Sequence, residues 1–107
     1  MQREEQRISF NYAETYKAMY ALSVQDKLAR SVAGTITGIA LKAGDDKSMV
    51  ITFTNKLNGK AAKYEYSRDF LAAALMLYCR TCNIPIPKKA MKSVEPGDER
   101  VTLHITL

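Results

Sequence analysis

An α+β fold is what this sequence predicts, on three observations. β-Branched and alternating residues between Gly34 and Tyr66 read as a three-stranded antiparallel meander, and the capped, wholly apolar stretch from Phe70 to Cys79 reads as a buried helix. No regular strand-helix-strand alternation links them, so a sheet with helices packed on one face is expected rather than a parallel α/β array. The expected order is an N-terminal helical segment, the meander, the buried apolar helix and a C-terminal strand or hairpin.

The first helix is expected from Tyr12. Asn11-Tyr12-Ala13-Glu14 has the form of a capping box, a short polar side chain three residues before a Glu that can reach back to it. Tyr12, Tyr16, Met19 and Tyr20 then share one stripe, and a second cap signal at Ser23-Val24-Gln25-Asp26 precedes Val24, Leu28 and Val32 at the same spacing. Two short helices, or one bent helix, should span about 12–32. Residues 1–10 read as a flexible polar lead.

The meander starts with a strand from Gly34 to Leu41, ended by a turn at Ala43-Gly44-Asp45-Asp46. Ser48 to Thr54 follows, with Met49, Ile51 and Phe53 on one face. Asn58-Gly59 suits the two central residues of a type I′ turn, which both need positive φ. Folding the chain about that pair sets Leu57 opposite Lys60, Phe53 opposite Tyr64 and Ile51 opposite Tyr66. Gly34 and Gly38 fit a bulge or a close backbone approach, not a phosphate loop.

Ser67 should cap the second helix, with Asp69 in its first turn. Its apolar run lacks a solvent face for nearly three turns, so cover is expected on more than one side. Asn83-Ile84-Pro85-Ile86-Pro87 ends it, because proline removes a donor and biases its predecessor away from the helical region. A last hairpin should run from Met91 to Glu95, turn at Pro96-Gly97-Asp98 and return from Arg100 to Leu107, with Val101, Leu103, Ile105 and Leu107 on one face and Thr102, His104 and Thr106 on the other.

At 107 residues, 47% apolar and 25% charged, the sequence suits one domain spanning 1–107. No apolar run approaches membrane-spanning length, and Met1 to Arg7 is mixed charge, so neither a span nor a secretory signal is expected. Two cysteines three apart cannot staple a secreted fold, which points to a cytoplasmic setting.

The chemistry-bearing residues point away from catalysis. Cys79-Arg80-Thr81-Cys82 could be a redox pair or half a zinc site, but a helix C-terminus disfavours a thiolate. Zinc would need two more ligands than one histidine and scattered carboxylates offer. His104 lies on the polar face of its strand with no sequence-local nucleophile. No metal, no cofactor and no enzymatic activity are expected. The tyrosines at 12, 16, 20, 64 and 66 fit the core margin better than a stacking surface.

Charge is the remaining signal. Between Lys56 and Lys92 the chain carries Lys56, Lys60, Lys63, Arg68, Arg80, Lys88, Lys89 and Lys92 against Glu65 and Asp69 only, so this segment holds the whole of the +5 excess. The expected function is a non-catalytic interaction or regulatory module acting through protein-protein contacts, as a homo-oligomer, with Phe70, Leu71, Leu75 and Tyr78 at the contact. The alternative is a small basic nucleic-acid binder using Lys56, Lys60, Lys63, Arg80, Lys88, Lys89 and Lys92.

Overall fold

The computed structural model describes residues 5–25, 34–86 and 90–106, and the side chains of all of these except Val24 and Gln25. Its element order is β1 (Glu5–Asn11), α1 (Tyr12–Gln25), β2 (Thr35–Lys42), β3 (Asp45–Thr54), β4 (Ala61–Ser67), α2 (Arg68–Thr81), β5 (Met91–Gly97) and β6 (Arg100–Thr106). The strands form two three-stranded antiparallel sheets, β1-β6-β5 and β2-β3-β4. The α+β class, the meander, the apolar helix and the C-terminal hairpin are as expected from the sequence. No helix of the described residues is long and apolar enough to cross a membrane.

Residues 5–11 are the first departure. They form β1, which pairs along its length with β6, from Glu5 opposite Thr106 to Asn11 opposite Arg100. Phe10 is buried and Ile8 packs against the core, which is why a segment rich in charge still docks as a strand.

α1 begins where the capping box placed it. The Asn11 backbone N–H donates to Glu14 Oε1 at 3.0 Å, and the Glu14 N–H donates to Asn11 Oδ1 at 2.8 Å, so two helix-end donors are satisfied reciprocally. Thr15, fully buried, donates its hydroxyl to the Asn11 carbonyl at 2.8 Å. The second cap signal at Ser23 does not break the helix before Gln25, and Leu28 and Val32 lie outside the described residues.

In the meander, a register shift between Ile36 and Gly38 lets Ile36 and Ile39, three apart, both face inward. A Cβ on Gly34 would stand 2.9 Å from the Thr54 carbonyl oxygen, so this glycine marks a close backbone approach. Met49, Ile51 and Phe53 are buried, as alternation requires.

The β3-β4 register is offset by two residues from the one expected. Ile51 faces Tyr64, Phe53 faces Ala62 and Met49 faces Tyr66. The turn is not a two-residue type I′: the Asn55 N–H donates to the Lys60 carbonyl at 2.9 Å and the Gly59 N–H donates to the Asn55 carbonyl at 2.7 Å, which closes a loop over Lys56 to Gly59. The Asn55 and Asn58 side chains accept from the Leu57 and Lys60 N–H groups, both at 2.9 Å, so side chains hold the wider loop. Because the offset is even, the apolar face is unchanged and Phe53 still meets Tyr64, now diagonally, ring centroids 5.8 Å apart.

Gly59 keeps positive φ, at 70°, and a Cβ there would meet nothing within 4 Å. Gly59→Val should therefore cost the backbone strain alone, about 1–2 kcal/mol. Chemical denaturation would show this as a lower midpoint at unchanged slope; an unchanged midpoint would mean that the loop relaxes into another turn.

Ser67 caps α2 by accepting from the Phe70 N–H at 3.0 Å. Asn83, at φ 60°, ends it: the Ile84 N–H donates to the Cys79 carbonyl at 2.8 Å and the Asn83 N–H to the Arg80 carbonyl at 3.1 Å, the pairing of a Schellman motif. Leu71, Ala74, Leu75 and Cys79 are buried, whereas Ala73 is exposed and Met76 and Leu77 are half-buried. Cover thus reaches one face and its margins rather than the whole circumference. α2 packs on α1 and meets both sheets, joining their inner faces into one core with Phe10, Met49, Ile51, Val94, Leu103 and Ile105.

Candidate functional site

The basic set splits. Lys56, Lys60 and Lys63 lie on the β3-β4 hairpin, all exposed. Arg80 stands in the last turn of α2. Lys92 is on β5, where it lines a groove of about 370 Å³ with Asp46, Lys47, Arg68, Asp69 and Ser93 at the opposite end of that helix, a 14-residue element of roughly 21 Å. Lys88 and Lys89, with Pro87, lie outside the described residues. Two acids share the groove with three bases, so it is mixed in sign.

Arg68 is committed to structure. Its Nε and Nη2 donate to the Val94 carbonyl at 3.1 and 2.6 Å, and its Nη1 donates to the Asp46 carbonyl at 2.9 Å. One guanidinium thus ties β5 of the first sheet to the start of β3 in the second. It also occupies an acceptor on an edge strand that would otherwise be open to another chain.

The expected contact set needs correction. Leu71 and Leu75 have no exposed surface, so they belong to the core and cannot meet a partner while the chain is folded. Phe70 and Tyr78 are half-buried: Phe70 stacks on Tyr66 at 5.5 Å between centroids, and Tyr78 makes a T-shaped contact with Phe10 at 5.8 Å. Apolar residues at consecutive helical positions looked equivalent in sequence, but only the stripe through Leu71, Ala74, Leu75 and Cys79 is buried.

Surface apolar groups are found elsewhere. Leu57 at the hairpin tip is 97% exposed, and Tyr64 on β4 is 43% exposed although its ring rests against Phe53. β4 is exposed at every residue from Ala61 to Glu65, and its outer edge pairs with no described strand. The sequence carried one sign of this, a lone leucine between Lys56 and Asn58-Gly59, where a turn ordinarily takes polar residues. On the outer face of the same sheet, Lys42 on β2 reaches over β3 to Glu65, its Nζ 3.1 Å from both carboxylate oxygens.

Cys79 is buried and Cys82 exposed, both as free thiols. Burial, with Cys82 beside it as a lesser cause, pushes the Cys79 thiol up, away from the reactive thiolate. His104 is half-buried on the polar face of β6, hydrogen-bonded through Nε2 to Glu5, and Ser93 stands opposite it on β5. That hydrogen bond, then the nearby Arg7, holds the Glu5 carboxyl below its ordinary value. Among the described residues, no three His, Cys, Asp or Glu side chains gather as metal ligands. Compared with known protein families, curated proteins and solved structures, the chain matches none.

Proposed function

We propose that this chain is a non-catalytic interaction or regulatory module that works through protein-protein contacts and self-associates. The observation that carries the reading is the β3-β4 hairpin, which presents a strand edge paired with no described strand together with Leu57 and Tyr64 in solvent. An exposed edge offers backbone donors and acceptors to an incoming strand, and nearby apolar side chains supply the area that such a contact buries. A cytoplasmic setting goes with this reading, supported by the two free thiols.

The same hairpin favours a second reading. Lys56, Lys60 and Lys63 fall within eight residues that hold no acid, around an apolar tip, a combination suited to phosphates and to a wedge in a groove of nucleic acid. Light scattering during gel filtration, at low and high salt and with and without mixed DNA and RNA, separates the two. Self-association gives a mass above the monomer at both salts. A species that forms only with nucleic acid and dissolves in salt supports the second reading, and the Lys56→Ala, Lys60→Ala, Lys63→Ala variant should then flatten the log-log salt slope by up to about three. A monomer that binds no nucleic acid at low salt would overturn both.

A further inference from the structure

The open edge of β4 carries a pattern that fits one occupant. Across the hairpin the Asn55 N–H donates to the Lys60 carbonyl, so Lys60 and each second residue after it, Ala62, Tyr64 and Tyr66, turn their backbone groups toward β3. Ala61, Lys63 and Glu65 therefore turn theirs to the open edge. The side chains divide the same way. Tyr64 and Tyr66 share the inner face with Ile51 and Met49, while Lys63 and Glu65 stand on the outer face opposite Thr52 and Val50.

We propose that β4 pairs antiparallel with β4 of a second copy of this chain, with the two-fold axis at Tyr64, giving a continuous sheet of order β2-β3-β4-β4-β3-β2. This rests on the reading of the chain as a self-associating module and names the surface and the register. In that register Lys63 faces Glu65 of the second copy and Glu65 faces its Lys63. These are the residues whose backbone groups are free to bond, so two opposite-charge pairs coincide with the hydrogen-bonded positions. On the inner face Tyr64 meets its own copy at the closer-spaced, non-hydrogen-bonded position. Ala62 meets Tyr66, a small residue against a large one. Tyrosine suits such a contact, since it offers large, stiff, amphipathic area.

The alternative registers are disfavoured by the same two charges. A slip by two residues sets Lys63 against Lys63 in one direction and Glu65 against Glu65 in the other, and like charges directly opposite repel. A change of one residue in the pairing sum points bonded backbone groups at free ones. Lys42 holds the Glu65 carboxylate on the outer face within its own chain, at 3.1 Å to each oxygen, which fixes the position in which the second copy's lysine finds it.

Charge reversal in the full-length protein tests this, with molar mass read by light scattering. Lys63→Glu leaves two acids on each edge and Glu65→Lys leaves two lysines, so either variant alone should fall from twice the chain mass to the monomer. An equimolar mixture of the two should recover the doubled mass as a mixed pair, and the double variant Lys63→Glu, Glu65→Lys should recover it alone. Native circular dichroism and a cooperative melt must accompany each monomer; recovery by mixing would be impossible for a misfolded chain and so guards the result independently. If the native protein associates but neither reversal shifts its mass, the β4 edge is not the contact, and the self-association reading stands without it. If the native protein is itself a monomer at every concentration reached, the self-association reading and this pairing fall together.

Discussion

Leu75→Ala is expected to lower the stability of the fold by about 2–5 kcal/mol, the range for removing a large aliphatic side chain from a filled core. Leu75 has no exposed surface and lies on the buried stripe of α2, within the core cluster to which both sheets contribute, so the cavity would open inside that core. In a domain of this size each kcal/mol moves the melting temperature by roughly 4–8 °C, which puts the expected drop at roughly 8 °C or more. Ala73→Ser, on the exposed side of the same helix, should move it by less than about 0.5 kcal/mol. Thermal unfolding of the two variants beside the native protein provides the check. Equal melting temperatures would show that the core closes over the gap or that α2 does not sit as described. A charged residue at Leu75 would unfold the chain rather than report on a contact between copies, which is why Lys63 and Glu65 are the better probes of assembly.

Arg68→Ala should have the next largest effect, about 2 kcal/mol. The guanidinium makes three hydrogen bonds to two carbonyls on different sheets, and bonds to a charged donor are worth about 1.5–3 kcal/mol each when isolated, less when they share one side chain and when water can replace it. Arg68→Lys should recover little of the loss, because an ammonium is a point charge without the planar fork that spans Val94 and Asp46. Amide hydrogen exchange gives the sharper readout. The alanine variant should lose protection in β5 while β6, paired on both sides, keeps most of its own. Full protection in β5 would mean that its hairpin stands without the clasp.

Much of the fold could be read from local chemistry, and what could not be read has definite physical causes. The capping box at Asn11 and Glu14, the Ser67 cap and the stop after Thr81 are each set by side chains within four residues, and each appears where the sequence puts it. β1 was missed because only Ile8 and Phe10 are apolar in it, and its reason to be a strand is a partner at the far end of the chain. The hairpin register was missed for a different reason. A slip of two residues conserves which side chains share a face, so the apolar pattern is blind to it, and the choice fell to Asn55 and Asn58 bonding the loop's own N–H groups. For the candidate surface, the hairpin lysines were legible as charge, but the free edge of β4 was not. Whether a strand is central or terminal depends on which strands the rest of the chain supplies.

The pairing of β1 with β6 also governs the order in which the molecule can assemble. From β2 through α2 every sheet contact joins neighbours in sequence, so that half closes short loops and can form early. The β5-β6 hairpin is equally local, with Gly97 opposite Arg100 at its tip. β1 alone must wait for a partner far away in sequence, at the entropic cost of closing the intervening residues into one long loop, a cost that rises only slowly with length. Until then Phe10, buried in the finished fold, lacks Val101, which lies opposite it on β6, and during synthesis the apolar side chains of β1 are the ones that wait longest for their strand partner.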